Sequence, residues 1–493
     1  MPMNGRMTTL MPDSRIRARS TTWLLRPWVI ASLVIGHFCA QPLRAADKPL
    51  NLLFITADDM NADSSGWMGC KLGTTPNLDA FAATAHQFVN NHVTVPICQP
   101  GRSAFMTGRV PHRNGALGFH PVKPGTPTLP SVLKAAGYFT GVIDKHAHMK
   151  PDAEFPWDVK LGGSGKHPAL FQEHVEQLLK AAAEAKKPFF LNANITDPHR
   201  PFYASEQLAA QQAKMNKKSE LRAGEGSTQP FTPEEVTVPS FLEDIPQVRR
   251  EVAQYYSSVR RFDASFGGAL AALRAAGREA DTLVIFLSDH GMSFPFSKAT
   301  VYRNGTWVPV LVRWPAMGKP QRREEFVSSV DILPTLLDVL KVAPPASLDG
   351  RSWLPLLRGE TQPGRDFVIT HVNSVSSGKS FPQRCVRTKD FSYQFHAWPD
   401  GTPHFRVEAM NGLTFAAMSK AAGSDARIKS RVEQLQVGVP EQFFDLRTDP
   451  DERVNLIAGR KHEAEIARLK KLLLAHMEKT DDPQLENFRK LAK

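Results

Sequence analysis

The chain has 493 residues, 42% hydrophobic and 22% charged, with 61 Lys and Arg against 49 Asp and Glu for a net charge of +12. These proportions are ordinary for a soluble globular protein, and the length suits one large α/β domain with a small partner as well as two or three domains. A basic excess suits anionic partners, but no basic run carries the interleaved aromatics that read single-stranded nucleic acid, so nucleic acid is not expected as a partner.

Residues 1–45 differ from the rest. Arg15, Arg17, Arg19 and Arg26 precede an apolar run over 28–40, and Leu43-Arg44-Ala45 then offers a small-residue cleavage site. This three-part pattern reads as a secretory signal, too short and wrongly flanked for a membrane span. An exported protein without a membrane anchor after cleavage is the expectation, periplasmic or secreted. Loss of the leader removes six arginines and one aspartate and lowers the net charge to +7. Cys39 leaves with it, so Cys70, Cys98 and Cys385 remain. An odd number of cysteines in an exported chain implies a thiol that is free, paired between chains or chemically changed. No Cys-x-x-Cys pair argues for structural zinc.

Four short apolar runs bounded by turn residues, 50–56, 139–143, 189–195 and 282–288, read as strands buried on both faces. Helical patterns lie between them over 76–88, 129–136, 168–185 and 248–276. The alternation predicts a large, mostly parallel sheet sandwiched by helices, in a main domain spanning 46–380. The polar stretch 203–247 reads as an insertion or a substrate-side loop. From 381 to 493 the pattern predicts a smaller α+β subdomain with a small antiparallel sheet. In it, a hairpin turns at 398–401 and an amphipathic helix over 463–477 closes the chain.

Each apolar run ends in residues capable of chemistry. They are Asp58-Asp59, Asp144 to His148, Asp197 to Arg200, and Asp289-His290-Gly291. Ligands of open α/β sheets bind beyond the carboxyl ends of strands, so four such ends point to one shared site. Any single aspartate there could equally be a helix cap or turn residue. Adjacent buried carboxylates at Asp58 and Asp59 need compensation, which a divalent cation supplies. With Asp289 the set is oxygen-rich and favours Ca²⁺ or Mg²⁺, while His290 tilts toward a transition metal.

Cys98 opens the segment Cys98-Gln99-Pro100-Gly101-Arg102. Pro100 suits the first turn of a helix, whose positive end would lower the pKa of the thiol. The residues alone leave a thiolate nucleophile, a disulfide partner or an unreactive buried cysteine open.

At this segment the chain resembles the sulfatases, a branch of the alkaline phosphatase superfamily. Cys98-x-Pro100-x-Arg102, continuing to Thr107-Gly108-Arg109, is similar to the signature read by the formylglycine-generating enzyme. Asp58-Asp59, Thr75 to Asp79, Ser288 to Gly291 and Phe444 to Leu456 extend the likeness. The resemblance implies that Cys98 is oxidised to formylglycine and hydrated to a geminal diol. Asp58, Asp59, Asp289, His290 and the modified residue 98 would bind one Ca²⁺. Arg102 would help stabilise one hydroxyl as the attacking alkoxide. Lys145, His199 and Lys298 would hold the sulfate oxygens, with His199 or Lys298 protonating the leaving atom, and His148, or else His146, would deprotonate the second hydroxyl.

The implied substrate is a sulfated carbohydrate. Asn114 to His120 and Asp289 to Lys298 look most like the heparan N-sulfatase (sulfamidase) branch. Two positions depart from the family pattern: Asp144 stands where a Gly is common, and His290 where an Asn is frequent. A phosphomonoester or phosphodiester hydrolase of the same superfamily and a non-catalytic sulfated-glycan binder are the competing readings.

Overall fold

The structure, a computed structural model, describes residues 48–214, 229–315 and 317–491. The expected leader over 1–45 and part of the expected insertion lie outside the described residues. No helix among the described residues is long and apolar enough to cross a membrane.

Eight strands form the main sheet: β1 Asn51–Asp58, β2 His86–His92, β3 Phe139–Ile143, β4 Val159–Leu161, β5 Phe189–Pro198, β6 Thr282–Ser288, β7 Val310–Arg313 and β8 Arg322–Ser328. Their order is β4-β3-β5-β1-β6-β7-β2-β8. Only β7 runs antiparallel to its neighbours, so the mostly parallel α/β sheet expected from the strand–helix alternation is present.

All eight residues of β1 are buried, because the sheet is covered on both faces. Leu53, Ile55 and Ala57 enter one core, with Phe171 and Val175 of the helix Pro168–Glu184 and Val259 and Phe266 of the helix Pro246–Ala275. Leu52 and Phe54 point the other way, into a core with Phe105, Leu133 and Leu336. Alternation along one strand thus feeds two cores, which is why the run is apolar throughout.

A second, antiparallel sheet holds β9 Phe367–Ser374, β10 Ser380–Thr388, β11 Phe391–His396 and β12 Glu441–Asp445 in the order β12-β11-β10-β9. Val386, Tyr393 and Phe443 pack there against Leu469, Leu473 and Met477 of the helix Glu463–Thr480. This sheet draws its first strand from residues that precede 381.

Two local readings are corrected. The helical pattern over 76–88 ends at Ala82, and β2 begins at His86. Leu78, Phe81, Ala82 and Ala85 keep a helical spacing across the intervening turn, and all four are buried, so periodicity alone could not locate the break. The hairpin turns at Lys389-Asp390, since Arg387 pairs with Ser392. Trp398 to Gly401 lies beyond β11, where the turn residues mark the exit from the hairpin.

Candidate active site

β1, β5 and β6 are adjacent and parallel, so their carboxyl ends deliver Asp58 and Asp59, then His199, then Asp289 and His290 to one edge of the sheet. The backbone N–H of Asp289 donates to the carbonyl of Ala57 (3.1 Å), and that of Asp59 donates to Oδ1 of Asp289 (3.2 Å). Asp58, Asp59, Asp289 and His290 are fully buried.

Cys98 is the first residue of the helix Cys98–Thr107. A Cβ on Gly101 would stand 2.8 Å from the carbonyl of Val95 and 3.4 Å from that of Asp289. Glycine is therefore what lets this turn approach the β6 end. Gly291 has a similar role, since a Cβ there would lie 1.8 Å from the carbonyl of Asn304. With the helix held close, Sγ of Cys98 lies 3.1 Å from Nε2 of His290 and 3.7 Å from Oδ1 of Asp58. Ligand atoms of Asp58, Asp59, Cys98 and His290 all fall within 4.8 Å of one another. Asp289 stands beside this group: its Oδ1 is 3.7 Å from Nε2 of His290 and its Oδ2 pairs with Nη2 of Arg102 at 2.9 Å.

Each carboxylate faces one cation. Arg102 pairs with Asp289, Lys145 with Asp58, and Lys298 with Asp59 at 3.0 Å. Arg102 also donates through Nη1 to Oδ1 of Asn194 (2.7 Å) and Oγ1 of Thr56 (3.2 Å). Sequence reasoning missed these two anchors, which sit inside apolar strands and carry no signal of their own.

Charge and burial set the protonation states. Burial opposes ionisation of Asp58, but Lys145, helped by His199, Arg102 and Lys298, holds its carboxyl well below the usual range. Burial pushes Asp59 up to about 6, against the pull of Lys298 and His290. Burial and the carboxylates of Asp58, Asp289 and Asp59 push the Cys98 thiol well above its usual value, outweighing Lys298. The expected lowering at the helix N-terminus is thus reversed, because burial, and after it three acids, outweigh a helix end. Burial works against the charge of Lys298, yet Asp59 holds it well above normal and it stays protonated.

Of the two histidines following Lys145, His148 has the site charges around it. Burial, then Lys145 and Arg102, lower it to about 3 and leave it neutral. It also meets the ring of Phe119 edge-on at 5.7 Å. His146 packs toward Gly162. Asp144, where the family commonly has Gly, adopts a φ of 53°, and its carboxylate accepts from the backbone N–H groups of Gly163 (2.7 Å) and Ser164 (3.2 Å). Those bonds support a backbone shape that Gly would reach without help.

His199 is lowered by burial and then by Lys298. Its loop is held by Lys166, whose Nζ donates to the carbonyls of His199 (2.5 Å) and Pro201 (2.8 Å). Glu408, from outside the main sheet, faces both His199 and Lys298, at 3.5 and 3.4 Å. Neither Lys166 nor Glu408 stood out in the sequence. Cys70, Cys98 and Cys385 are all free thiols.

The cation expected here is tested by the donors present. Two buried carboxylates and one imidazole converge with residue 98, a set that fits a hard divalent cation better than a soft one. Asp289 would complete it on release of one oxygen.

The family model described as Sulfatase matches residues 50–342, and one described as N-sulphoglucosamine sulphohydrolase, C-terminal, matches 289–399. Human N-sulphoglucosamine sulphohydrolase is 32% identical over 370 residues, covering 70% of this chain and 72% of the relative. Among solved structures, a protein in complex with its substrate D-glucosamine-2-N,6-O-disulfate superposes with a TM-score of 0.64 at 17% identity, covering 88% of this chain and 99% of that one. The phosphonate monoester hydrolase of Agrobacterium radiobacter gives 0.66 at 18%, covering 87% and 96%. The last two show a shared fold. Family match and human relative together go further: this chain is an enzyme of the sulfatase family and resembles its sulfamidase branch.

Proposed function

We propose that this enzyme removes sulfate from a sulfated carbohydrate, the N-sulfate of an amino sugar foremost, using a formylglycine hydrate made from Cys98. One observation carries the reading. The residue at the head of Cys98-x-Pro100-x-Arg102 has its Sγ 3.1 Å from Nε2 of His290 and 3.7 Å from Oδ1 of Asp58. An oxygen on the same Cβ would stand among the same groups.

Asp58, Asp59, Asp289, His290 and residue 98 would hold Ca²⁺, which when bound supplies positive charge to the nucleophilic oxygen and the sulfate. With Asp58 and Asp59 so engaged, Lys145 and Lys298 are free to turn to the sulfate oxygens. Arg102, fixed by Asn194 and Thr56, contributes a charge that needs no reorganisation during the reaction. Lys298 is protonated and His199 gains basicity beside a bound anion, so either can donate the proton that the leaving atom needs. His148 is neutral in this environment, and it would accept the proton of the second hydroxyl of residue 98 once Lys145 has turned to a bound sulfate and its basicity has risen. A geminal diol can collapse by elimination, whereas a serine would leave an ester still to be hydrolysed.

Export through the leader at 1–45 and maturation by a formylglycine-generating enzyme complete the proposal. The test is turnover by a chain co-produced with that maturation enzyme. Glucosamine N-sulfate and an O-sulfated sugar should be hydrolysed far faster than a matched phosphate monoester. Phosphate turnover without sulfate turnover would favour the phosphohydrolase reading.

A further inference from the structure

We infer that Glu408 is a specificity-determining residue that favours a nitrogen leaving group over an oxygen one. The inference rests on the sulfate-releasing activity proposed above. Oε1 of Glu408 lies 3.5 Å from Nε2 of His199 and Oε2 lies 3.4 Å from Nζ of Lys298. One carboxylate thus spans the two groups that would face the departing atom. Its side chain is 33% exposed, against 3% for Lys298, and it lines a cleft with Phe119, Lys298 and Ser376.

A negative charge at that position opposes the binding of any sulfate, which calls for a compensating contact that some substrates make and others do not. The chemistry of the leaving group supplies one. When a sulfamate is cleaved, the S–N bond breaks with its electron pair staying on nitrogen, while sulfur forms a new bond to a hydroxyl oxygen of residue 98. The hydroxyl of residue 98 gives up its proton to solvent before it attacks. The basic sulfamate nitrogen takes one proton from His199 or Lys298 as the bond begins to break, so it carries ammonium character beside the Glu408 carboxylate in the transition state. It departs as a neutral amine, which solvent then protonates to the full ammonium. A sulfate ester releases an alcohol, which takes one proton and stays neutral. Glu408 therefore stabilises a charge that develops only in the first reaction, and a contact that strengthens toward the transition state raises the rate of that reaction selectively.

Glu408→Gln and Glu408→Asp in the mature full chain test this. Hydrolysis of glucosamine N-sulfate is measured together with the binding of glucosamine, which carries the ammonium, and of N-acetylglucosamine, which does not. Loss of one charged contact should lower kcat/KM for the N-sulfate in the Gln variant, and weaken glucosamine, by about tenfold or more. N-acetylglucosamine should bind as before, and the Asp variant should recover part of the loss. Equal binding of the two sugars by the unaltered chain, or equal weakening of both in the Gln variant, would overturn the assignment. If the unaltered chain binds glucosamine selectively but leaves glucosamine N-sulfate intact, the underlying activity is what fails.

Discussion

Nε2 of His290 lies 3.1 Å from Sγ of Cys98, although 192 residues separate them in the chain. The contact exists because the β6 end and the first turn of the helix Cys98–Thr107 meet across Gly101, with the backbone of Asp289 tied to that of Ala57. Sheet topology, rather than any local sequence feature, makes these residues neighbours.

Replacing Gly101 with Ala probes that approach. The added methyl would stand 2.8 Å from the carbonyl of Val95 and 3.4 Å from that of Asp289, so the first turn of the helix must shift relative to the segment before it and to the β6 end. Overpacking of this kind costs roughly 1–3 kcal/mol, and denaturant unfolding should show it. Sulfate release should fall more steeply than stability, because residue 98 moves with the helix.

Arg102 is fully buried, and its Nη2 pairs with Asp289 at 2.9 Å. Arg102→Ala leaves that carboxylate without its cation, and removing one partner of a buried pair costs about 3–5 kcal/mol. Thermal melting of the variant should drop by many degrees. Asn194→Ala removes the stronger of two anchors on Nη1, leaving Thr56, and also removes the amide bonds to the carbonyls of Ile143 (2.9 Å) and Asp144 (3.2 Å). Since Arg102 keeps Asp289, it should lower kcat with a smaller loss of stability than Arg102→Ala.

The chain announced its chemistry at the strand ends. Asp58-Asp59, Lys145, His199 and Asp289-His290 each follow a run whose continuous hydrophobicity betrays a strand buried on two faces, and Cys98 stands out through its neighbours Pro100 and Arg102. What stayed hidden depended on contacts between distant segments. Asn194 reads as one more residue of β5, yet its side chain orients Arg102. Glu408 reads as a loop acid, yet it meets Lys298 across 110 positions of chain. The high thiol pKa of Cys98 was equally invisible, because it comes first from burial and then from three carboxylates that only the folded sheet gathers.

Removal of divalent cations should act on both activity and stability. Asp58 and Asp59 are fully buried with ligand atoms within 4.8 Å of Cys98 and His290, so a bound cation stabilises the folded state by mass action. Dialysis against EGTA should abolish sulfate release and lower the melting temperature, with Ca²⁺ restoring both. Full activity after exhaustive chelation would remove the cation from the account.

Acid stability should depend on a second histidine cluster. Nε2 of His476 lies 3.1 Å from Nε2 of His371, whose Nδ1 lies 3.8 Å from Asp482; His112 stands beside them, and Arg384 pairs with Asp482 at 2.6 Å. Burial lowers His476 to about 4 from 6.5. The unfolded chain therefore takes up a proton below pH 6.5 that the folded chain refuses until about pH 4, and stability is lost as pH falls through that window. At pH 5 this one group amounts to about 2 kcal/mol. His476→Gln should flatten the decline in melting temperature between pH 6.5 and 4 relative to the parent chain.

Peptide mass spectrometry of the segment containing Cys98, on protein made alongside a formylglycine-generating enzyme and assayed for sulfate release, bears most directly on the whole account. The active protein should carry the lighter aldehyde at residue 98, and the active fraction should track the converted fraction. Sulfate release by a chain whose Cys98 is wholly an intact thiol would contradict it.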